Sequence, residues 1–231
     1  MRKIERDELV LDLGNLDDSE LAPYVTITEK RLGEYLKINH FVLSSSGLTA
    51  LQAACWASGV RPGAEVICDG FFPFAIMAIR NLGAIPVVAD IRSDSLTIDA
   101  SLVNELITEK TIAIVATATF GIAPCYSDLS EISKRANLTL IEDRAQAFPY
   151  GAHCERKPTN TISSYSFQNG KHLSCGQGGG IACKNEESAA MVRRYLALGW
   201  YPRLCENGNT DWDGSWRHRE SHCLSGRIAP I

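Results

Sequence analysis

The chain lacks any apolar run approaching the roughly 20 residues that cross a bilayer as a helix. Its first residues, Met1-Arg2-Lys3-Ile4-Glu5-Arg6-Asp7, are charged where a secretory leader would be apolar. Both features point to a cytoplasmic protein away from membranes. No basic block is present: 23 Lys and Arg stand against 27 Asp and Glu, a formal net charge of −4. Nucleic acid would therefore find no electrostatic footprint. Eight cysteines occur, at 55, 68, 125, 154, 175, 183, 205 and 223, yet no Cys-x-x-Cys pair. Cys205, His218, His222 and Cys223 can be drawn together as a zinc set, but their spacing matches no usual pattern, so no metal is expected. In a cytosolic chain such cysteines read as free thiols, mostly small buried hydrophobes. A Gly-x-Gly-x-x-Gly fingerprint after the first strand and a Walker-type loop are missing too, which argues against a nucleotide-binding protein.

What is present is an ordinary globular composition. The 231 residues are 45% hydrophobic and 22% charged, enough for one large domain or two small ones. Short apolar, β-branched runs alternate with helical patterns. Phe41-Val42-Leu43 leads as a short apolar run into Ser44-Ser45-Ser46-Gly47, and strands are expected over 65–68, 85–90, 111–116, 138–143, 162–166 and 180–184. Helices are expected over 27–36, 49–58, 74–82, 99–107, 127–137 and 186–198, with 178–180 a tight turn. This alternation predicts an α/β fold, three layers (α/β/α) with a mostly parallel central sheet. In such sheets ligands sit beyond the carboxyl ends of the strands. Ser44–Thr49, Asp143–Gln146 and Ser166–Lys171 all fall at expected strand ends. After Gly199 the pattern changes, and residues 200–231 read as an irregular tail whose Trp and Arg residues suit a contact surface.

Lys171 is the focal residue. It lies five residues after Ser166 in Ser166-Phe167-Gln168-Asn169-Gly170-Lys171, ahead of a glycine-rich turn, and Ile141-Glu142-Asp143-Arg144-Ala145-Gln146 lies upstream. A strand-end carboxylate followed by a serine and a lysine at this spacing is what a pyridoxal 5'-phosphate (PLP) site needs. The lysine forms a Schiff base with the cofactor aldehyde, the carboxylate keeps the pyridine nitrogen protonated, and the serine holds the phosphate.

These stretches together resemble the DegT/DnrJ/StrS-type sugar and cyclitol aminotransferases, a branch of the fold-type I PLP enzymes. The resemblance runs from about Ile27 to Gly199. It rests on Ser-Ser-Gly-x-x-Ala-Leu (Ser45 to Leu51), Pro-Gly-x-Glu-Val-Ile (Pro62 to Ile67) and Gly-Ala-x-Pro-Val-x-x-Asp-Ile (Gly83 to Ile91). Glu-Asp-x-Ala-Gln-Ala (Glu142 to Ala147) and Ser-Phe-Gln-x-x-Lys-x-Leu-x-x-Gly (Ser166 to Gly176) complete it. The resemblance implies that Lys171 and Asp143 are catalytic, with Asp143 on the pyridine nitrogen and Gln146 near the phenolic oxygen. It also implies that Ser166 and the Gly47-Leu48-Thr49 turn hold the phosphate. One of Phe71, Phe72 and Phe74 would stack on the ring, Phe72 being the first choice, while the other two pack. His172 beside a retained lysine favours amino transfer over dehydration. The implied partners are a keto-sugar or keto-cyclitol, an amino donor such as glutamate or glutamine, and a second copy of the chain in a homodimer.

The sequence also departs from the pattern. Leu48 stands where a small residue is usual, Gln177 where Glu is usual, and Ser225 where Asn is usual. The implied layout is a segment 1–26, a PLP-binding large domain 27–199 and the tail 200–231, which leads to an absent small domain. An alternative reading is therefore a truncated PLP-binding homologue without turnover, or one subunit of a split enzyme whose small domain is a separate chain.

Overall fold

The computed structural model describes residues 18–148 and 161–197. Seven strands make one sheet: β1 (His40–Ser44), β2 (Glu65–Asp69), β3 (Ile85–Ala89), β4 (Thr111–Thr117), β5 (Thr139–Asp143), β6 (Ile162–Ser166) and β7 (Gly179–Cys183). Their spatial order is β1-β7-β6-β5-β4-β2-β3. Neighbours from β6 across to β3 run parallel, whereas β7 runs against both β6 and β1. Side chains alternate across the sheet, so each central strand feeds two cores. Val66, Cys68, Ala113, Val115 and Ile141 pack with α2 (Gly47–Ala57), α3 (Pro73–Asn81) and α6 (Glu186–Leu196). Ile67, Ile114, Ala116 and Leu140 face the other way, against α4 (Ala100–Val103) and α5 (Tyr126–Arg135). This is the three-layer α/β/α architecture expected from the alternation of elements. Each fully buried Leu, Ile or Val contributes about 1.5–3 kcal/mol relative to an exposed position, and Leu51, Ile67, Ile114, Leu129 and Ile141 all reach that limit.

Three elements differ from the sequence expectation. Helix α1 spans Asp18–Leu36 and so begins well before Ile27. Its last turns bury Leu32 and Leu36 against Phe41, Tyr165 and Phe167. Glu29 ties it down by accepting the Leu43 amide (2.9 Å) and pairing with Arg193 of α6. The region 99–107 is not one helix. Asp99 caps a four-residue α4 through Ser101, and the chain then tightens into a 3₁₀ turn over Asn104–Leu106 before Ile107 turns extended. Gly179 and Gly180 belong to β7 rather than to a turn. A Cβ on Gly179 would sit 2.4 Å from the Ser46 carbonyl oxygen, so the strand is bare there because α2 begins against it.

Among the described residues no helix is long and apolar enough to cross a membrane, and no group of three or more His, Cys, Asp or Glu could hold a metal ion. Cys205, His218, His222, Cys223, Ser225 and the expected tail lie outside the described residues.

Candidate active site

A cleft of about 220 Å³ opens beyond the carboxyl ends of β4, β5 and β6. Its lining includes Gly47 and Leu48 from α2, Phe72 and Phe74 from the start of α3, and Thr117, Asp143, Gln146, Ser166 and Lys171. Of the expected cofactor-site residues Gly47, Leu48, Thr49, Phe72, Asp143, Gln146, Ser166 and Lys171, all but Thr49 line this one space.

Thr49 has a local role instead. Its amide and hydroxyl both bond to Ser46 Oγ, at 3.1 and 2.9 Å, which makes Ser46 the N-cap of α2. The Ala50 amide is taken by the Ser46 carbonyl. The Gly47 and Leu48 amides, at the first two helical positions, have no acceptor inside the helix and are free to face an anion. Leu48 supplies this amide while its side chain packs on the core. Ser166 closes the cradle. A Cβ at Gly47 would lie 2.6 Å from Ser166 Cβ and 2.9 Å from its Oγ, so glycine alone lets helix end and serine meet.

Lys171 sits in the connection between the antiparallel strands β6 and β7. Hydrogen bonds from Phe167 N to Gly178 O, Asn169 N to Gly176 O, Lys171 N to Gln168 O and Cys175 N to Phe167 O lace this loop. The Lys171 ammonium makes no ion pair among the described residues. His172 is exposed and does not line the cleft.

Asp143 ends β5, buried. Its Oδ1 accepts the Ala145 amide at 3.0 Å and the Ser164 hydroxyl at 3.4 Å, and Oδ2 accepts no bond from the described residues. Burial raises its pKa from 3.8 to about 6; Asp69 pushes in the same direction, while the Ala145 amide, Lys171 and the Ser164 hydroxyl oppose. On either side of it the chain is fixed by a buried ion pair, Arg144 to Glu142 at 2.6 Å. Glu142 also accepts from Ser163 and Thr161, and Arg144 lies over the Tyr126 ring. Gln146 is fixed by its carbonyl oxygen, which accepts the Phe120 amide at 3.1 Å. That bond assigns the side-chain NH₂ to the other side as a donor.

The aromatic expectation needs correction. Phe72 and Phe74 both line the cleft, and neither Phe71 nor Phe74 packs in the core; they are 38% and 48% exposed. Phe71 and Phe72 instead meet each other and Phe120 edge to face. Sequence reasoning missed Thr117 as a lining residue and gave Ser46 and Gln168, inside stretches it singled out, no role of their own. Gln177, noted only as a departure, also lines the cleft. Thr117 could have been found from its place at the end of a buried strand, the feature that marked Asp143.

The fold is that of the fold-type I PLP-dependent transferases. Residues 4–214 match the DegT/DnrJ/EryC1/StrS aminotransferase family, and the chain belongs to it. It is 34% identical over 184 residues to a UDP-2-acetamido-2-deoxy-3-oxo-D-glucuronate aminotransferase of Pseudomonas aeruginosa, covering 78% of this chain and 51% of that protein. It is 36% identical over 174 residues to an L-glutamine:2-deoxy-scyllo-inosose aminotransferase of Streptomyces kanamyceticus, covering 74% and 40%. A crystal structure of NtdA from Bacillus subtilis with bound cofactor PMP superposes with a TM-score of 0.70 at 30% identity, covering 74% of this chain and 39% of that one. The chain spans about half the length of the curated relatives it matches.

Proposed function

We propose that this chain carries the cofactor half of a sugar- or cyclitol-type aminotransferase. In this reading it holds PLP and serves transfer of an amino group from glutamate or glutamine to a keto-sugar or keto-cyclitol. The observation that carries the reading is the convergence of Lys171, Asp143, Ser166 and the start of α2 on one cleft. The residues fit the group. Asp143 is a buried carboxylate with an open Oδ2 and a raised pKa, the state of an acid without its counter-charge. The bare Gly47 backbone against Ser166 suits a phosphate.

PLP, when bound, supplies a carbonyl that takes up the amino group and a ring that withdraws electrons from the neighbouring carbon. Lys171 Nζ would hold the cofactor and would move the proton at the substrate carbon that bears nitrogen. Asp143 would keep the ring nitrogen protonated, and the Gln146 NH₂ would serve as a donor to the ring's oxygen. Phe72 would pack on the ring, while Ser166 and the Gly47 and Leu48 amides would hold the phosphate. Gln168 and Gln177, at the mouth, offer neutral amides to hydroxyl-rich substrates.

The reading includes a cytosolic homodimer with its cleft at the subunit boundary. Phe71, Phe74 and Phe120 are exposed aromatic residues at or beside the cleft, more than a solvated rim needs. The test is reaction of the purified chain with PLP, then with each donor. Attachment that disappears in Lys171→Ala supports the site, and attachment that survives the substitution rejects it. Conversion of the cofactor by glutamate or glutamine marks turnover; attachment that ignores both donors marks a chain that binds PLP without turnover or works with a separate small-domain subunit.

A further inference from the structure

Asp69 is a buried carboxylate that the reading above does not use. It ends β2 with no exposed surface, and its Oδ2 accepts the Thr117 amide at 3.3 Å. Its Oδ1 is buried and accepts no hydrogen bond. No cation pairs with it within 4 Å among the described residues. Keeping a buried carboxylate without a cation is costly, which asks what purpose it serves.

Its place suggests that purpose. β2, β4 and β5 are consecutive parallel strands, and Thr117 stands in register with Asp143. Asp69 and Asp143 thus end the two strands that flank β4, with the Thr117 terminus between them. We propose that Asp69 is a positioning residue that acts through Asp143: from two strands away its charge holds the proton at the Asp143 end of the cleft. It does not line the cleft.

Two strand spacings put the backbones roughly 10 Å apart. Unit charges at that separation, in an effective dielectric of about 20, change proton affinity by roughly tenfold. The sign follows from like charge. Asp69 favours the protonated form of Asp143 and, once a pyridine nitrogen lies against Asp143, the protonated form of that nitrogen. Other groups also face Asp143. Lys171 opposes Asp69, and the buried Cys55 thiol of α2 has its own pKa raised by burial and by Asp143. Cys68, beside Asp69, is raised to about 12 by burial and by Asp69, which keeps it neutral in the working range. Asp69 is therefore the carboxylate neighbour of Asp143 that raises its proton affinity.

The inference rests on the PLP reading for its purpose, but its first test does not need the cofactor. Carboxyl ¹³C NMR of the cofactor-free chain, with Asp143 assigned by its loss in Asp143→Asn, gives the Asp143 midpoint directly. Asp69→Asn keeps an acceptor for the Thr117 amide and removes the charge. The expected result is a fall of roughly threefold to tenfold in proton affinity at Asp143; an unchanged midpoint overturns the proposal. Asp69→Ser gives the same comparison should the asparagine variant not fold. A second readout uses ring-¹⁵N PLP bound to each protein. The nitrogen should lose its proton at lower pH in Asp69→Asn, and identical titrations contradict the proposal. A moved Asp143 midpoint with no PLP binding by the parent chain supports the carboxylate pair and rejects the cofactor reading. PLP binding with an unmoved midpoint does the reverse.

Discussion

Asp143 carries a stability cost that can be measured without any cofactor. Its folded value of about 6 lies above its ordinary 3.8, so between these values the folded chain binds more protons than the unfolded one. Its contribution is fully present below about pH 4 and is lost as pH rises through 6. Asp143→Asn keeps an oxygen for Ala145 and Ser164 but carries no charge. The cofactor-free variant should therefore be more stable than its parent at pH 7.5, by about 2–3 kcal/mol, and should lose that advantage near pH 4. Thermal unfolding at the two pH values checks it. Asp143, Lys171, Ser166 and Gln146 were legible because residue type, spacing and strand-end position agree. Asp69 and Thr117 were not. A polar residue that follows an apolar run looks like the first residue of a turn, and only the neighbouring strand shows that it is buried.

At the scale of elements, the anion cradle depends on two close approaches to the start of α2, by Ser166 and by Gly179. Gly47→Ala should push Ser166 aside and weaken PLP or inorganic phosphate binding at least tenfold, read by titration, with a stability loss of about 1–3 kcal/mol. Ser46→Ala removes the cap that accepts the Thr49 amide. It should cost about 1 kcal/mol in denaturant unfolding, while the Gly47 and Leu48 amides remain in place. The strands were legible from β-branched runs and most helices from periodicity. Helix α1 was not, because its first turns are polar and contain Pro23, and its packing on β1 is a tertiary effect. The short α4 looked longer because the apolar spacing continues through residues that adopt a 3₁₀ turn. The bare start of β7 read as a glycine turn, since sequence alone does not reveal a neighbouring backbone.

Across the whole molecule, exposed aromatic residues gather beside the cleft, where Phe71 and Phe120 meet edge to face. Phe120 is 65% exposed and held in a left-handed backbone conformation, φ 51°, by a chain that binds its amide to Gln146. Such strain concentrates at functional surfaces. Sedimentation of the full chain should show a dimer at micromolar concentration, and Phe120→Asp should shift it toward monomer without lowering the fold's stability by more than about 1 kcal/mol. A parent chain that sediments as a monomer would contradict the shared cleft. The account as a whole stands on Lys171, and the most direct measurement is to incubate the chain with PLP, fix the adduct with borohydride and map it by peptide mass spectrometry. The account predicts one phosphopyridoxyl group, on Lys171, absent from Lys171→Ala. No adduct, or one spread over other lysines and retained in the variant, would contradict it.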